Sequence, residues 1–160
     1  MKKLIFILFI GFTYTSTAFS QLAIGEFAPE IKLPDSLGKW KPMSEIKSKL
    51  ILLDFWAAWC YPCILSMPDL KKVNEKWHDK GLIVYTVSLD KNYYEWVSKC
   101  RKFELPFVLV NDPYGFEGKA CKDYKITSIP NKILIKDGKV IGANMSLYDL
   151  DKLIEKELNE

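Results

Sequence analysis

Apolar positions along this chain fall into two rhythms. Leu50 to Trp56, broken only by Asp54, is a nearly continuous apolar run of strand length, apolar enough to be buried on both faces, and Leu82 to Leu89, apolar but for Thr86 and Ser88, reads as the next strand. Elsewhere the apolar residues step by three and four. Ile64, Met67, Leu70, Val73 and Trp77 share one face of a helix predicted over Pro62 to Asp79; Tyr93 to Phe103 reads as a second helix; Leu147, Leu150, Ile154 and Leu158 mark a last one. Phe107 to Val110 reads as a short strand after Pro106, and Gly115 to Tyr124 as a short helix after the turn Asn111-Asp112-Pro113. Lys132 to Lys136 and Lys139 to Ala143 flank Asp137-Gly138, a pair suited to a two-residue hairpin turn. Ahead of these, Ala23 to Lys39 carries Gly25, Pro29, Pro34 and Gly38, as expected of an entry segment with a short strand around Glu30 to Leu33 and a turn at Ser36 to Lys39. Met43 to Ser48 reads as one helical turn capped by Ser44. Strands alternate with helices and a hairpin closes the series, so the expected fold class is α/β, a three-layer α/β/α sandwich with a mixed central sheet.

The first residues follow another pattern. Met1-Lys2-Lys3 is basic, Leu4 to Phe12 is apolar apart from Gly11, and Ala18-Phe19-Ser20 offers small residues at both positions that a signal peptidase reads. The expectation is a signal peptide over residues 1–20, with cleavage before Gln21, and one domain over residues 21–160. The apolar run spans a membrane only if Thr13 to Phe19 are counted with it, which leaves a retained anchor as the other reading. No cysteine at the cleavage point calls for a lipid. Export to the periplasm, or otherwise beyond the cytoplasmic membrane, follows from either reading. The 160 residues include 23 Lys and Arg against 20 Asp and Glu, and loss of Lys2 and Lys3 leaves 21 − 20, or +1. That balance calls for no nucleic acid partner. A single small domain makes a monomer the default.

Four cysteines divide into a tight pair, Cys60 and Cys63, and a distant pair, Cys100 and Cys121. The tight pair stands where the first strand hands over to the first long helix. Two thiols separated by two residues can close a small reversible disulfide. The helix start stabilises a negative sulfur at Cys60, so Cys60 is the attacking thiol and Cys63, one turn further in, resolves the mixed disulfide. A structural disulfide or half of a zinc site uses the same spacing, but zinc needs two more ligands, and neither His78 nor the distant cysteines lie at a usual spacing. No metal is expected, and no cofactor beyond the dithiol itself. Asp54 is a carboxylate inside an apolar strand, costly unless it has a partner or a task.

Asp54-Phe55-Trp56-Ala57-Ala58-Trp59-Cys60-Tyr61-Pro62-Cys63 closely resembles the active-site stretch of thioredoxins. Pro68, five residues after Cys63, matches the proline that kinks their active-site helix, and Ile129-Pro130 resembles their cis-proline dipeptide. The entry segment, from Gly25 and Pro29 to Leu33-Pro34-Asp35-Ser36-Leu37-Gly38-Lys39, is similar to the exported TlpA/ResA group of thioredoxin-like, AhpC/TSA-related proteins. The resemblance implies a thioredoxin-like fold and protein-disulfide reduction. It implies a proton-exchange role for Asp54 and a substrate surface made by Trp59, Tyr61, Pro62, Ile129 and Pro130. Protein thiols and disulfides are the implied substrates, apocytochromes c among them, with electrons from a membrane thiol reductant of the DsbD/CcdA type. An oxidase or isomerase shares these residues and differs in reduction potential.

Other classes fit less well. The peroxiredoxin pattern Pro-x-x-x-Thr/Ser-x-x-Cys is absent, since Trp56 and Trp59 flank Ala57-Ala58. A Sco-type copper chaperone needs Cys-x-x-x-Cys and a placed histidine, and a non-catalytic binding module needs neither the cysteine pair nor the acid. For Cys100 and Cys121 a structural disulfide and two separate buried thiols both stay open, with Lys99 and Arg101 able to lower the Cys100 pKa. His78 reads as a solvated helix end.

Overall fold

The computed structural model describes residues 22–159; the signal-peptide expectation therefore lies outside the described residues. The chain runs β1 (Lys32–Pro34), β2 (Trp40–Pro42), β3 (Leu50–Trp56), α1 (Tyr61–Trp77), β4 (Leu82–Ser88), α2 (Tyr93–Phe103), β5 (Val108–Asn111), α3 (Lys119–Asp123), β6 (Asn131–Lys136), β7 (Lys139–Ala143) and α4 (Leu147–Asn159). Five strands form one sheet in the order β5-β4-β3-β6-β7. β3–β4 and β4–β5 are parallel, β3–β6 and β6–β7 antiparallel. Among the described residues no helix is long and apolar enough to cross a membrane.

The crossovers β3–α1–β4 and β4–α2–β5 step in the same direction, which for right-handed connections places α1 and α2 on one face. Lys71 of α1 accordingly donates to the carbonyl of Phe103 at the end of α2, 3.1 Å. α4 joins this face, with Asp151 accepting from both Lys76 (2.8 Å) and Trp77 Nε1 (2.5 Å) of α1. It packs closely on Gly142, where an added Cβ would meet Leu153 at 2.9 Å. Gly142 pairs with Leu134 and Leu134 with Leu52, so alternation assigns Leu52, Asp54 and Trp56 to the face under these helices. Phe55 points the other way, onto Tyr124 at the end of α3, 5.6 Å between ring centroids. The β1–β2 ribbon lies on that second face, where the hydroxyls of Tyr85 and Tyr124 donate to the carbonyls of Lys41 and Pro29, each at 2.6 Å.

The strands and helices with clear periodicity stand where the pattern predicts them, including β3 and α2 to the residue. Four local details differ. β2 carries too short a pattern to read and exists because β1 offers a partner across a turn, in which Asp35 Oδ1 accepts from the N–H groups of Leu37 and Lys39. β1 begins at Lys32, two residues later than expected. The helical turn expected over Met43 to Ser48 is only a 3-10 turn, Met43–Glu45, with no side-chain cap; the Ser44 N–H instead donates to the Glu30 carboxylate, 3.1 Å. Gly115 to Tyr124 is a 3-10 turn, Gly115–Glu117, and then α3, because Gly118 is extended between them.

Gly118 has an ordinary φ of −67°, so its requirement is space: a Cβ would sit 2.0 Å from Asp112 Oδ2. Gly118→Ala is expected to lower stability by about 1–3 kcal/mol, the usual range for forced overpacking. Urea unfolding measures it, and an unchanged midpoint would mean that the Asp112 carboxylate swings aside without cost.

Candidate active site

β3 leaves the sheet at Trp56 and turns through Ala57, Ala58 and Trp59 into α1. The Cys60 N–H closes this turn on the Ala57 carbonyl, 3.1 Å. Cys60 is the N-cap of α1, and its sulfur accepts from the Cys63 N–H at 3.2 Å while bonded to the Cys63 sulfur. Pro62 falls in the first turn of the helix, where no intrahelical N–H bond is lost. Cys63 is fully buried and Cys60 nearly so, whereas Trp59 and Tyr61 on either side of Cys60 are exposed. Once the disulfide is reduced, the Cys63 N–H and the helix dipole favour a thiolate at Cys60.

Asp54 lies under this helix, 1% exposed, and its cross-strand partner in the register is Lys132 of β6. Lys132 Nζ stands 3.0 Å from Asp54 Oδ1, a close ionic contact without the alignment of a good hydrogen bond. Burial pushes the Asp54 pKa above the usual carboxylate range, and the Lys132 charge pulls against it. A cleft lined by Ser66 of α1, Pro130, Lys132 and Asn144 opens on the lysine side of the pair. Lys132 was not singled out from the sequence. Its one signal is a lysine at the start of the apolar run Ile133-Leu134-Ile135, and only the register turns that into a partner for Asp54.

A second buried carboxylate also escaped the sequence reading. Asp90, just past β4, accepts the Ala58 N–H with both oxygens, at 3.0 and 2.8 Å, and a hydrogen bond from Ser88 Oγ at 2.7 Å. Asn111 of β5 donates to the carbonyls of Ser88 and Asp90, 3.2 and 2.9 Å. The turn that presents Cys60 is thus tied to the ends of two neighbouring strands. Burial raises the Asp90 pKa, opposed by the hydrogen bonds from Ser88 and Ala58. The segment Ser88-Leu89-Asp90 at a strand end is the signal that points to it.

A disulfide at a helix N-terminus, with an acid buried beneath that helix, is the equipment of thiol–disulfide exchange. The model of the AhpC/TSA family matches residues 24–144. The chain belongs to the AhpC/TSA family. Within this family it resembles the thiol-disulfide oxidoreductase ResA of Bacillus cereus, 31% identical over 136 residues that cover 82% of this chain and 77% of ResA. The thioredoxin domain of a thiol-disulfide oxidoreductase from Bacteroides vulgatus superposes with a TM-score of 0.80 at 29% identity, covering 86% of this chain and 99% of that one. A thiol:disulfide interchange protein from a Bacteroides species gives 0.79, also at 29%, over 87% and 92%. This AhpC/TSA member has the thioredoxin-like fold and is an enzyme, a thiol–disulfide oxidoreductase.

The remaining candidate residues divide. Ile129-Pro130 is a cis peptide immediately before β6. His78 caps α1 in solvent. Cys100 and Cys121 are corrected: they are free, buried thiols and not a disulfide. Cys100 reaches the core from α2 and Cys121 from α3, helices that cover opposite faces of the sheet. Nor do Lys99 and Arg101 activate Cys100. Burial pushes its pKa up to about 12, helped by the Asp90 charge, and burial with the Asp112 charge does the same for Cys121. Both are packing residues in this member of the family.

The raised pKa of Asp54 has a defined sign in stability. Between the unfolded and folded values the native state holds more protons than the unfolded chain, so stability falls as pH rises through that window. The oxidised wild type is therefore expected to lose stability relative to Asp54→Asn as pH rises from about 4 toward neutrality, since asparagine does not titrate. Urea unfolding at a series of pH values reads the difference. A constant difference would mean that Asp54 titrates alike in the folded and unfolded chain, its pKa unshifted by burial.

Proposed function

We propose that this enzyme is an exported protein-disulfide reductase, working through the Cys60/Cys63 dithiol with no dissociable cofactor. The observation that supports it is the Cys60–Cys63 disulfide at the N-terminus of α1, above the buried Asp54. In the reduced enzyme the Cys60 thiolate attacks one sulfur of a substrate disulfide, and the other substrate sulfur leaves as a thiolate. Asp54 accepts the Cys63 proton. The Cys63 thiolate then attacks the Cys60 sulfur, releases the second substrate thiol and leaves the enzyme disulfide, so two electrons pass to the substrate. Trp59, Tyr61 and Pro62 line the approach to Cys60. The backbone of Ile129, ahead of Pro130, offers strand-like hydrogen bonds to an extended substrate.

An exported reductase needs electrons from across the membrane, and a thiol transporter of the DsbD/CcdA type is the donor this reading implies. Apocytochromes c and other exported thiol proteins are its substrates, met by the enzyme as a monomer in the periplasm or the equivalent space. An uncleaved residue 1–20 segment would tether the same domain to the membrane.

Titration of the Cys60/Cys63 couple against a dithiol buffer tests the direction. The expected potential is near thioredoxin's, about −270 mV, while a value near about −120 mV, typical of DsbA, would make the enzyme a disulfide donor. Cys63→Ser is expected to accumulate the mixed disulfide on Cys60. Asp54→Asn is expected to slow its resolution by about tenfold or more at neutral pH, within the range of a general base. Stopped-flow rates unchanged across pH 6–8 would remove Asp54 from the proton transfer.

A further inference from the structure

Exposed aromatic side chains gather beside Cys60. Trp59 is 57% exposed, and across a cleft from it stand Tyr114, 72% exposed, and Phe116, 38% exposed, on the loop between β5 and α3. The Trp59 and Phe116 rings are 6.5 Å apart between centroids and tilted by 55°, so they meet without stacking. The cleft, of about 510 Å³, is floored by Leu89 and Asp90. Both walls are held before anything binds. Asp90 clamps the Ala58 N–H next to Trp59, and Asp112 accepts the N–H groups of Tyr114 (3.1 Å, side chain) and Gly115 (3.0 Å, carbonyl). Aromatic side chains left this exposed on a positioned backbone are the composition of a docking surface.

We propose that this cleft is a specificity site, which receives an apolar or aromatic side chain within two residues of the disulfide cysteine in a protein substrate. The proposal rests on the disulfide-exchange reading, because the cleft is continuous with Cys60 through Trp59. It lies on the side opposite the Pro130 surface: its floor and far wall follow β4 and β5, whereas Pro130 precedes β6, and β3 stands between them in the sheet. The charged lining refines the choice. Glu95 and Glu117, with Asp90 at the floor, stand against a single lysine, Lys91, so an acidic residue beside the substrate cysteine is disfavoured.

The test uses the reduced Cys63→Ser protein and short peptides with one cysteine carried as a mixed disulfide with thionitrobenzoate. The Cys60 thiolate attacks the peptide sulfur, the Cys60–peptide bond forms, and thionitrobenzoate leaves with the electron pair and is read by its absorbance. Peptides differ only in carrying Phe, Ser or Glu beside the cysteine. Phe is expected to react at least about fivefold faster than Ser, a modest share of what burying such a side chain contributes, with Glu slowest. Adding Tyr114→Ser and Phe116→Ser together is expected to bring the Phe-to-Ser ratio close to one, and the exposed Tyr114→Ser alone to give an intermediate ratio. Each ratio is taken within one protein, so a general loss of activity does not mimic the effect. Reaction with all peptides but no preference for Phe, or a preference that survives loss of both rings, overturns the proposal alone. No reaction with any peptide overturns the disulfide-exchange reading and the proposal together. Because either working direction passes through this mixed disulfide, an oxidising potential leaves the result interpretable.

Discussion

Strand β3 is hydrogen-bonded along both edges, parallel to β4 and antiparallel to β6, and covered on both faces. A strand held this way has little freedom in register, since a slip by one residue would exchange its two buried faces. The site inherits that rigidity. The turn after Trp56 leaves the sheet at a fixed height, and the disulfide sits where that turn becomes a helix. Because β3, β4 and β5 are parallel, their carboxyl ends collect at one edge. Asp90 and the loop bearing Tyr114 and Phe116 therefore come to the same place as Cys60, as ligand sites do in open α/β sheets.

Two carboxylates buried near this edge are stabilised differently. Asp54 faces Lys132 across a strand pair, and the net result of burial and ion pairing is a carboxyl held above its ordinary pKa. Asp90 has neutral donors, Ser88 Oγ and the Ala58 N–H, which tie it to the turn it supports. The first arrangement sets burial against an ion pair. The second fixes geometry.

The four cysteines make the same point about environment. Cys60 stands at the start of α1 with its sulfur accepting the Cys63 N–H, and Cys100 and Cys121 stand against apolar core, near the carboxylates of Asp90 and Asp112. One residue type thus forms a disulfide at a helix start in one place and serves as filling in two others. The contrast rests on the field around each sulfur and on which face of the sheet carries it.

Local pattern was enough for the α/β architecture, the span of β3 and α2, the hairpin at Asp137-Gly138 and the disulfide pair Cys60/Cys63, because period, turn residues and spacing are properties of neighbours along the chain. It was also enough to mark Asp54, since an acid inside an apolar strand stands out by itself. Lys132, Asp90 and the aromatic cleft were not legible in this way. Each depends on which residue of a distant strand faces which, and register is set by the packing of whole elements. The same holds for the separation of Cys100 from Cys121: composition and spacing left their pairing open, and two helices on opposite faces of the sheet decided against it. Sequence determined which chemistry is present, and tertiary structure decided which groups meet, because contacts between residues far apart in the chain exist only once the sheet has assembled.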